Sequence, residues 1–255
     1  KSTDNVRVPM TLLWSRNPIR KHKGCILKVY GAYGAITQPY FSEEDALLAR
    51  QGYTGVYAHV RGESIMGGDW YTQGKLLQKK HSFEDYIACA QHLVKKGVTS
   101  PEFLVAYGNS AGGMVVGWAI NTHPEWFNTA ILDHPYLDVL HTTMNDSLPL
   151  TVDEYKEWGN PSDPATFRYI QSYCPYQNIR KQVYPHLIYR AGWHDFQTPV
   201  AQIAKHVAAV RAHHTGDQRI LFFTDFQGTH GGNFSAVERK KSFAGILGAL
   251  KLHLF

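Results

Sequence analysis

The chain holds only three cysteines, Cys25, Cys89 and Cys174, an odd and widely spaced set with neither a disulfide pattern nor the paired spacing of a zinc site. That excludes a disulfide-stapled secreted scaffold and favours a reducing compartment, with the cytoplasm as the expected location. No apolar run approaches the roughly 20 residues that a membrane-spanning helix needs, and the N-terminus lacks a signal-peptide pattern, so no membrane partner is expected. The first residue is Lys1 rather than methionine, as expected for a piece of a longer protein. Repeats and low-complexity linkers are absent, which argues against a solenoid. Charge of one sign is only mildly in excess: 26 Lys and Arg against 21 Asp and Glu give a net charge of +5. The densest basic runs, 20–23 and 79–81, are short, and the remaining basic residues are scattered as on an ordinary solvated surface. No nucleic-acid partner is expected.

What is present is a chain of 255 residues, 44% hydrophobic, which is enough to bury the core of one large α/β domain spanning 1–255. Short apolar runs alternate with helical periodicity. Cys25–Gly34, Gly52–Gly62, Phe103–Tyr107, Thr129–Val139, His186–Gly192 and Ile220–Phe223 read as strands. Pro199–His213 and Glu238–Leu252 read as helices, as does 81–97, where Ser82 is the expected N-cap, with Asp85 three residues on and Gly97 as the stop. The alternation predicts a mostly parallel central sheet with helices on both faces.

On such a sheet, chemistry is expected beyond the carboxyl ends of the strands. The stretch "LVAYGNSAGGMVVGWAI" places Ser110 between a predicted strand and a predicted helix, with glycine at 108 and 112, the form of a nucleophile elbow. Gly-x-Ser-x-Gly alone arises by chance in about one chain in ten of this length. Two later strand ends add weight: Asp195 in "AGWHD" and His230 in "FQGTHGG". Taken singly, the aspartate reads equally as a turn residue and the histidine as a loop residue or zinc ligand. Together they follow Ser110 in the chain order Ser, Asp, His that an α/β-hydrolase elbow predicts. In that arrangement the imidazole takes the serine proton and returns it to the leaving amine, while the aspartate fixes the imidazole tautomer. An oxyanion also needs donors. The Ala111 N–H is one candidate, and a tyrosine of "YGAYG" is a second, unless it only packs.

Across nearly the whole chain, from about residue 6 onward, the sequence resembles the catalytic domain of the prolyl oligopeptidase family of serine peptidases, the oligopeptidase B branch above all. The stretches that carry the resemblance are "VYGAYGA", "AHVRG", "GKLLQKKHSFEDYIACAQHLV", "YGNSAGGMVVGWAIN", "PYLDVLHTTMNDSLPLT", "EWGNP", "YCPYQNI", "YPHLIYRAGWHD" and "GTHGG". The resemblance implies an α/β-hydrolase fold, no metal or organic cofactor, and cleavage of short peptides. Ser110, Asp195 and His230 fall on the family's triad, Tyr30 on its oxyanion tyrosine, and Tyr33 near the wall of the pocket for the residue before the cut. The family's β-propeller, which filters substrates by size, has no counterpart in these residues and is expected in the full-length protein.

Resemblance to the oligopeptidase B branch also implies cleavage after Lys or Arg, through carboxylates in a stretch that here reads "TVDEYKEWGNP". Glu154 and Glu157 are kept, while Lys156 stands where the adjacent acidic pair has a carboxylate; the alternative makes Asp153, Glu154 and Glu157 a solvated helix face. Two further departures are Glu63 and Ser64, where the family continues with glycines, and Gln197, where many members have arginine; Gln197 offers a neutral contact to the substrate backbone. The leading expectation is a serine oligopeptidase acting through an acyl-enzyme. The alternatives are an esterase or thioesterase of the same fold, as in prolyl endopeptidase-like relatives, and a scaffold subunit of a homo-oligomer or larger assembly that keeps its triad.

Overall fold

Near-continuous apolar strands need cover on both faces, and in the computed structural model, which describes residues 1–19, 24–37, 40–232 and 235–254, they receive it. One seven-stranded sheet runs in the order β1-β3-β2-β4-β5-β6-β7. Its strands are β1 (Met10–Leu13), β2 (Cys25–Val29), β3 (Thr54–Ala58), β4 (Leu104–Asn109), β5 (Thr129–Asp133), β6 (His186–Gly192) and β7 (Ile220–Asp225). β1 is antiparallel to β3, and every other neighbouring pair is parallel. The expected α/β-hydrolase architecture, a mostly parallel sheet between helices, is the one observed.

Alternate side chains leave a strand on opposite faces. Leu27, Ala106, Leu132 and Tyr189 therefore enter one core layer, with helices Lys80–Lys95, Ala111–Thr122 and Val200–His213. Ile26, Val105, Ile131 and Ile188 enter the other, under Leu48 of helix Glu43–Gln51 and Leu250 of helix Ala236–Leu254. After β2 the chain moves outward to β3, then crosses back to lay β4 on the other side of β2. The loops leaving β2 and β4 thus diverge and open a crevice at the carboxyl edge.

Several local expectations are corrected. The strand expected over Thr129–Val139 ends at Asp133, because His134 takes φ 46° and Pro135 follows it. Ser82 is not an N-cap: the helix starts at Lys80, and the buried Ser82 hydroxyl donates to the Arg61 carbonyl instead. Asp85, the expected capping-box partner, accepts from Arg61 Nε at 2.9 Å and from its Nη2 at 2.7 Å. Both residues were pulled from capping roles by tertiary partners that local pattern does not encode. β1 was unforeseen, being a short edge strand with every residue only partly buried. Helix Glu43–Gln51 was missed despite its signals: Ser42 accepts from the Asp45 N–H at 3.2 Å, and Gly52 ends the helix at φ 107°.

Candidate active site

Ser110 sits between β4 and helix Ala111–Thr122 at φ 52°, ψ −121°, a backbone region that non-glycine residues avoid. The turn is held from outside: the Ser110 N–H donates to the Asp133 carbonyl at 3.0 Å, and its own carbonyl accepts from the N–H groups of Gly113 and Tyr136, both at 2.9 Å. Glycine is obligatory around it for steric reasons. A Cβ on Gly108 would lie 2.2 Å from the Gly112 carbonyl oxygen, and one on Gly112 would lie 2.1 Å from that of Val29.

The loops after β6 and β7 bring the other two predicted residues to this point. His230 Nε2 lies 3.0 Å from Ser110 Oγ, and His230 Nδ1 lies 2.8 Å from Asp195 Oδ2. Asp195 is buried, and its Oδ1 accepts from the N–H groups of Gln197 and Thr198, both at 2.9 Å. The Thr198 hydroxyl stands 2.8 Å from Oδ2 and 2.9 Å from the His134 carbonyl, so its one proton serves either acceptor. Burial alone would raise the Asp195 pKa, but the bonds from His230 and Thr198 outweigh it and hold the carboxyl below its ordinary value. An ionised Asp195 fixes the proton on Nδ1 and leaves the Nε2 lone pair facing the Ser110 hydroxyl. Thr198 and the buried His134, whose ring lies edge-on to His230 at 6.1 Å between centroids, were not singled out from sequence.

A cleft of about 360 Å³ opens over Ser110 and His230, walled by Tyr30, Tyr33, Tyr136, Leu150, Glu154 and Gln197. Tyr30 reaches Ser110 from the loop after β2; burial raises its pKa, and the bond with Ser110 only partly opposes this, so the phenol keeps its proton at neutral pH and can donate. Ala111 begins the helix, where backbone N–H groups lack intrahelical acceptors. The two predicted specificity carboxylates part company. Glu154 lines the cleft, accepting from Tyr33 Oη at 2.8 Å and Trp158 Nε1 at 3.1 Å. Glu157 does not line it: 1% exposed, it accepts from the Tyr33 N–H at 3.0 Å and from Tyr71 Oη at 2.6 Å. Lys156 and Asp153 are exposed, and Gln197 sits exposed at the cleft wall. Tyr136 and Leu150, also walls, belong to the long β5–β6 connection; they lie in a stretch that carries the family resemblance but were not singled out as site residues. Among the described residues no group of three or more His, Cys, Asp or Glu is placed to hold a metal ion.

Comparison with known proteins adds to this geometry. A family model described as "Prolyl oligopeptidase family" matches residues 39–250. The chain is 39% identical over 213 residues to a prolyl endopeptidase-like protein of Xenopus laevis, covering 83% of this chain and 30% of that one. It is 36% identical over 250 residues to protease 2 of Moraxella lacunata, covering 96% of this chain and 36% of the relative. The structure of oligopeptidase B from Trypanosoma brucei with covalently bound antipain matches with a TM-score of 0.91 at 36% identity, over 99% of this chain and 36% of that one. The chain thus spans about a third of the length of these relatives.

Proposed function

The chain belongs to the prolyl oligopeptidase family, and we propose that it is the catalytic domain of a serine peptidase that cuts short peptides through an acyl-enzyme. The observation that carries this reading is the unbroken hydrogen-bonded line from Ser110 through His230 to a buried, ionised Asp195, open to a cleft that Tyr30 overlooks. His230 Nε2 takes the Ser110 proton as Oγ attacks the scissile carbonyl, and later delivers it to the leaving amine. Tyr30 Oη and the Ala111 N–H donate to the oxyanion, each worth about a hundred- to a thousandfold in rate. Water, deprotonated by the same imidazole, then releases the acyl group and regenerates Ser110.

Cleavage after Lys or Arg is the finer part of the proposal, and Glu154 in the cleft supports it. One carboxylate there, with Glu157 spent on the Tyr33 backbone and Lys156 in solvent, favours a moderate basic preference over a strict one. In the full-length protein a β-propeller over the carboxyl edge would restrict entry to short peptides. The test is kcat/KM on arginyl peptides, norleucyl peptides and simple aryl esters for the wild type and Asp195→Asn. Peptide hydrolysis that falls about 10⁴-fold in the variant supports the reading. Turnover of esters alone replaces it with an esterase, and turnover of neither leaves a scaffold subunit.

A further inference from the structure

The loop that carries Tyr30 and Tyr33 turns through left-handed backbone: Gly31 has φ 72°, Tyr33 φ 58° and Gly34 φ 63°, of which only the tyrosine is disfavoured there. Three ionisable side chains beneath it, each at most 1% exposed, take up its backbone polar groups. Glu63 Oε1 accepts from the Gly31 N–H at 3.2 Å and from Thr37 Oγ1 at 3.0 Å. Lys79 Nζ donates to the Gly31 carbonyl. Glu157 Oε1 accepts from the Tyr33 N–H at 3.0 Å. The three peptide groups that link Tyr30 to Tyr33 are thus gripped by charge, the strongest class of hydrogen bond a side chain makes.

Burying such charges is a poor route to stability, since desolvation consumes the attraction between them. The arrangement shows that cost. Burial pushes the Lys79 pKa down to about 8 against the opposing pull of Glu157 and Glu63. Glu63 Oε2 and His59 Nδ1 face each other at 3.9 Å, and neither has a hydrogen-bond partner. Glu63 gives its satisfied oxygen to the loop and Thr37, leaving His59 Nδ1 without a hydrogen bond, while His59 Nε2 pairs with Thr11 Oγ1 at 2.8 Å. It also stands where the family resemblance calls for glycine, so this carboxylate is a feature of the chain in hand.

We propose that Glu63, Lys79 and Glu157 form a buried ionic clamp that positions the Tyr30 hydroxyl over Ser110 and the Tyr33 ring along the cleft. They are positioning residues, acting on the reaction through the loop backbone. The inference rests on the reading above that Tyr30 donates to the oxyanion. A loop released from the clamp still folds over the sheet, but its phenol no longer waits at the point where negative charge develops, and preorganisation is lost.

The test is a mutant cycle read by the second-order rate at which a small fluorophosphonate modifies Ser110 in the intact protein, a reaction that needs the activated serine and oxyanion donors but no particular substrate side chain. Tyr30→Phe slows the reaction by about a hundredfold. Glu63→Ala slows it by about tenfold or more in the wild-type background and by less than about twofold in the Tyr30→Phe background. Glu63→Gln, whose amide oxygen still accepts from the Gly31 N–H, recovers the wild-type rate to within about threefold. A merely structural Glu63 costs the same factor in both backgrounds, and that result overturns the clamp while leaving Tyr30 its role. A Tyr30→Phe protein that reacts at the wild-type rate overturns the role of Tyr30 and the clamp together. Should Glu63→Ala not fold, Lys79→Met enters the same cycle with the same two outcomes.

Discussion

Replacing Glu154 by glutamine removes a charge and almost nothing else. The side chain is partly buried in the cleft wall and accepts from Tyr33 Oη at 2.8 Å on one oxygen and from Trp158 Nε1 at 3.1 Å on the other; in glutamine the remaining oxygen accepts from Trp158 Nε1 and the amide N–H donates to Tyr33 Oη. A guanidinium entering the cleft meets this one carboxylate, because Glu157 is spent beneath Tyr33 and Lys156 points to solvent. A hydrogen bond to a charged group contributes about 1.5–3 kcal/mol net. At about 1.4 kcal/mol per factor of ten, that is a preference of roughly 10- to 150-fold for arginine over its neutral isostere citrulline before the cut. The assay is kcat/KM on two peptides that differ only in arginine or citrulline, for wild type and Glu154→Gln. The ratio is expected to collapse to about one in the variant, with the citrulline rate unchanged within about threefold. An Arg-to-citrulline ratio that survives the substitution refutes the reasoning and leaves Glu154 as a support for Tyr33.

Gly112→Ala is expected to cost about 3 kcal/mol or more in urea unfolding, because its Cβ would lie 2.1 Å from the Val29 carbonyl oxygen, at the seam between helix Ala111–Thr122 and the end of β2; a loss under about 1 kcal/mol contradicts the packing. Asp85→Ala is expected to cost about 3–5 kcal/mol, since it strips the bidentate partner from an Arg61 that is 1% exposed and leaves it only the partly exposed Asp4 and a weak contact to Ser2 Oγ at 3.4 Å. Burial pushes the His206 pKa down from 6.5 to about 3, so between those values the unfolded chain takes up a proton that the folded one refuses. Its contribution therefore makes stability fall as pH drops through that window, by up to about 1.4 kcal/mol per pH unit, and His206→Gln is expected to flatten the profile by that slope.

The nucleophile elbow and both partner loops were legible because each follows a short apolar run of strand length and composition, and the sheet delivers strand ends to one edge whatever the intervening helices do. The cleft was legible only in part. Tyr30 and Tyr33 stood in a motif, whereas Tyr136 and Leu150 reach the cleft from a long connection whose path depends on tertiary packing. Glu154 and Glu157 lie three residues apart on one helix, so sequence groups them; a shift in depth of one turn puts the first in the cleft and the second beneath the loop. Ser82 failed as a cap for a related reason: a hydroxyl that looks free to cap a helix bonds the Arg61 carbonyl across the core. Glu63 showed only as a departure from glycine, and its attachment to the Gly31 N–H became visible with the fold.

The most direct test of the central claim, that Ser110, His230 and Asp195 work as one unit, is the intact mass of the protein after incubation with a fluorophosphonate, followed by peptide mapping. The account predicts a single stoichiometric adduct on Ser110 that is absent from Ser110→Ala. A folded wild-type protein that takes no adduct, or an adduct that persists in Ser110→Ala, contradicts it.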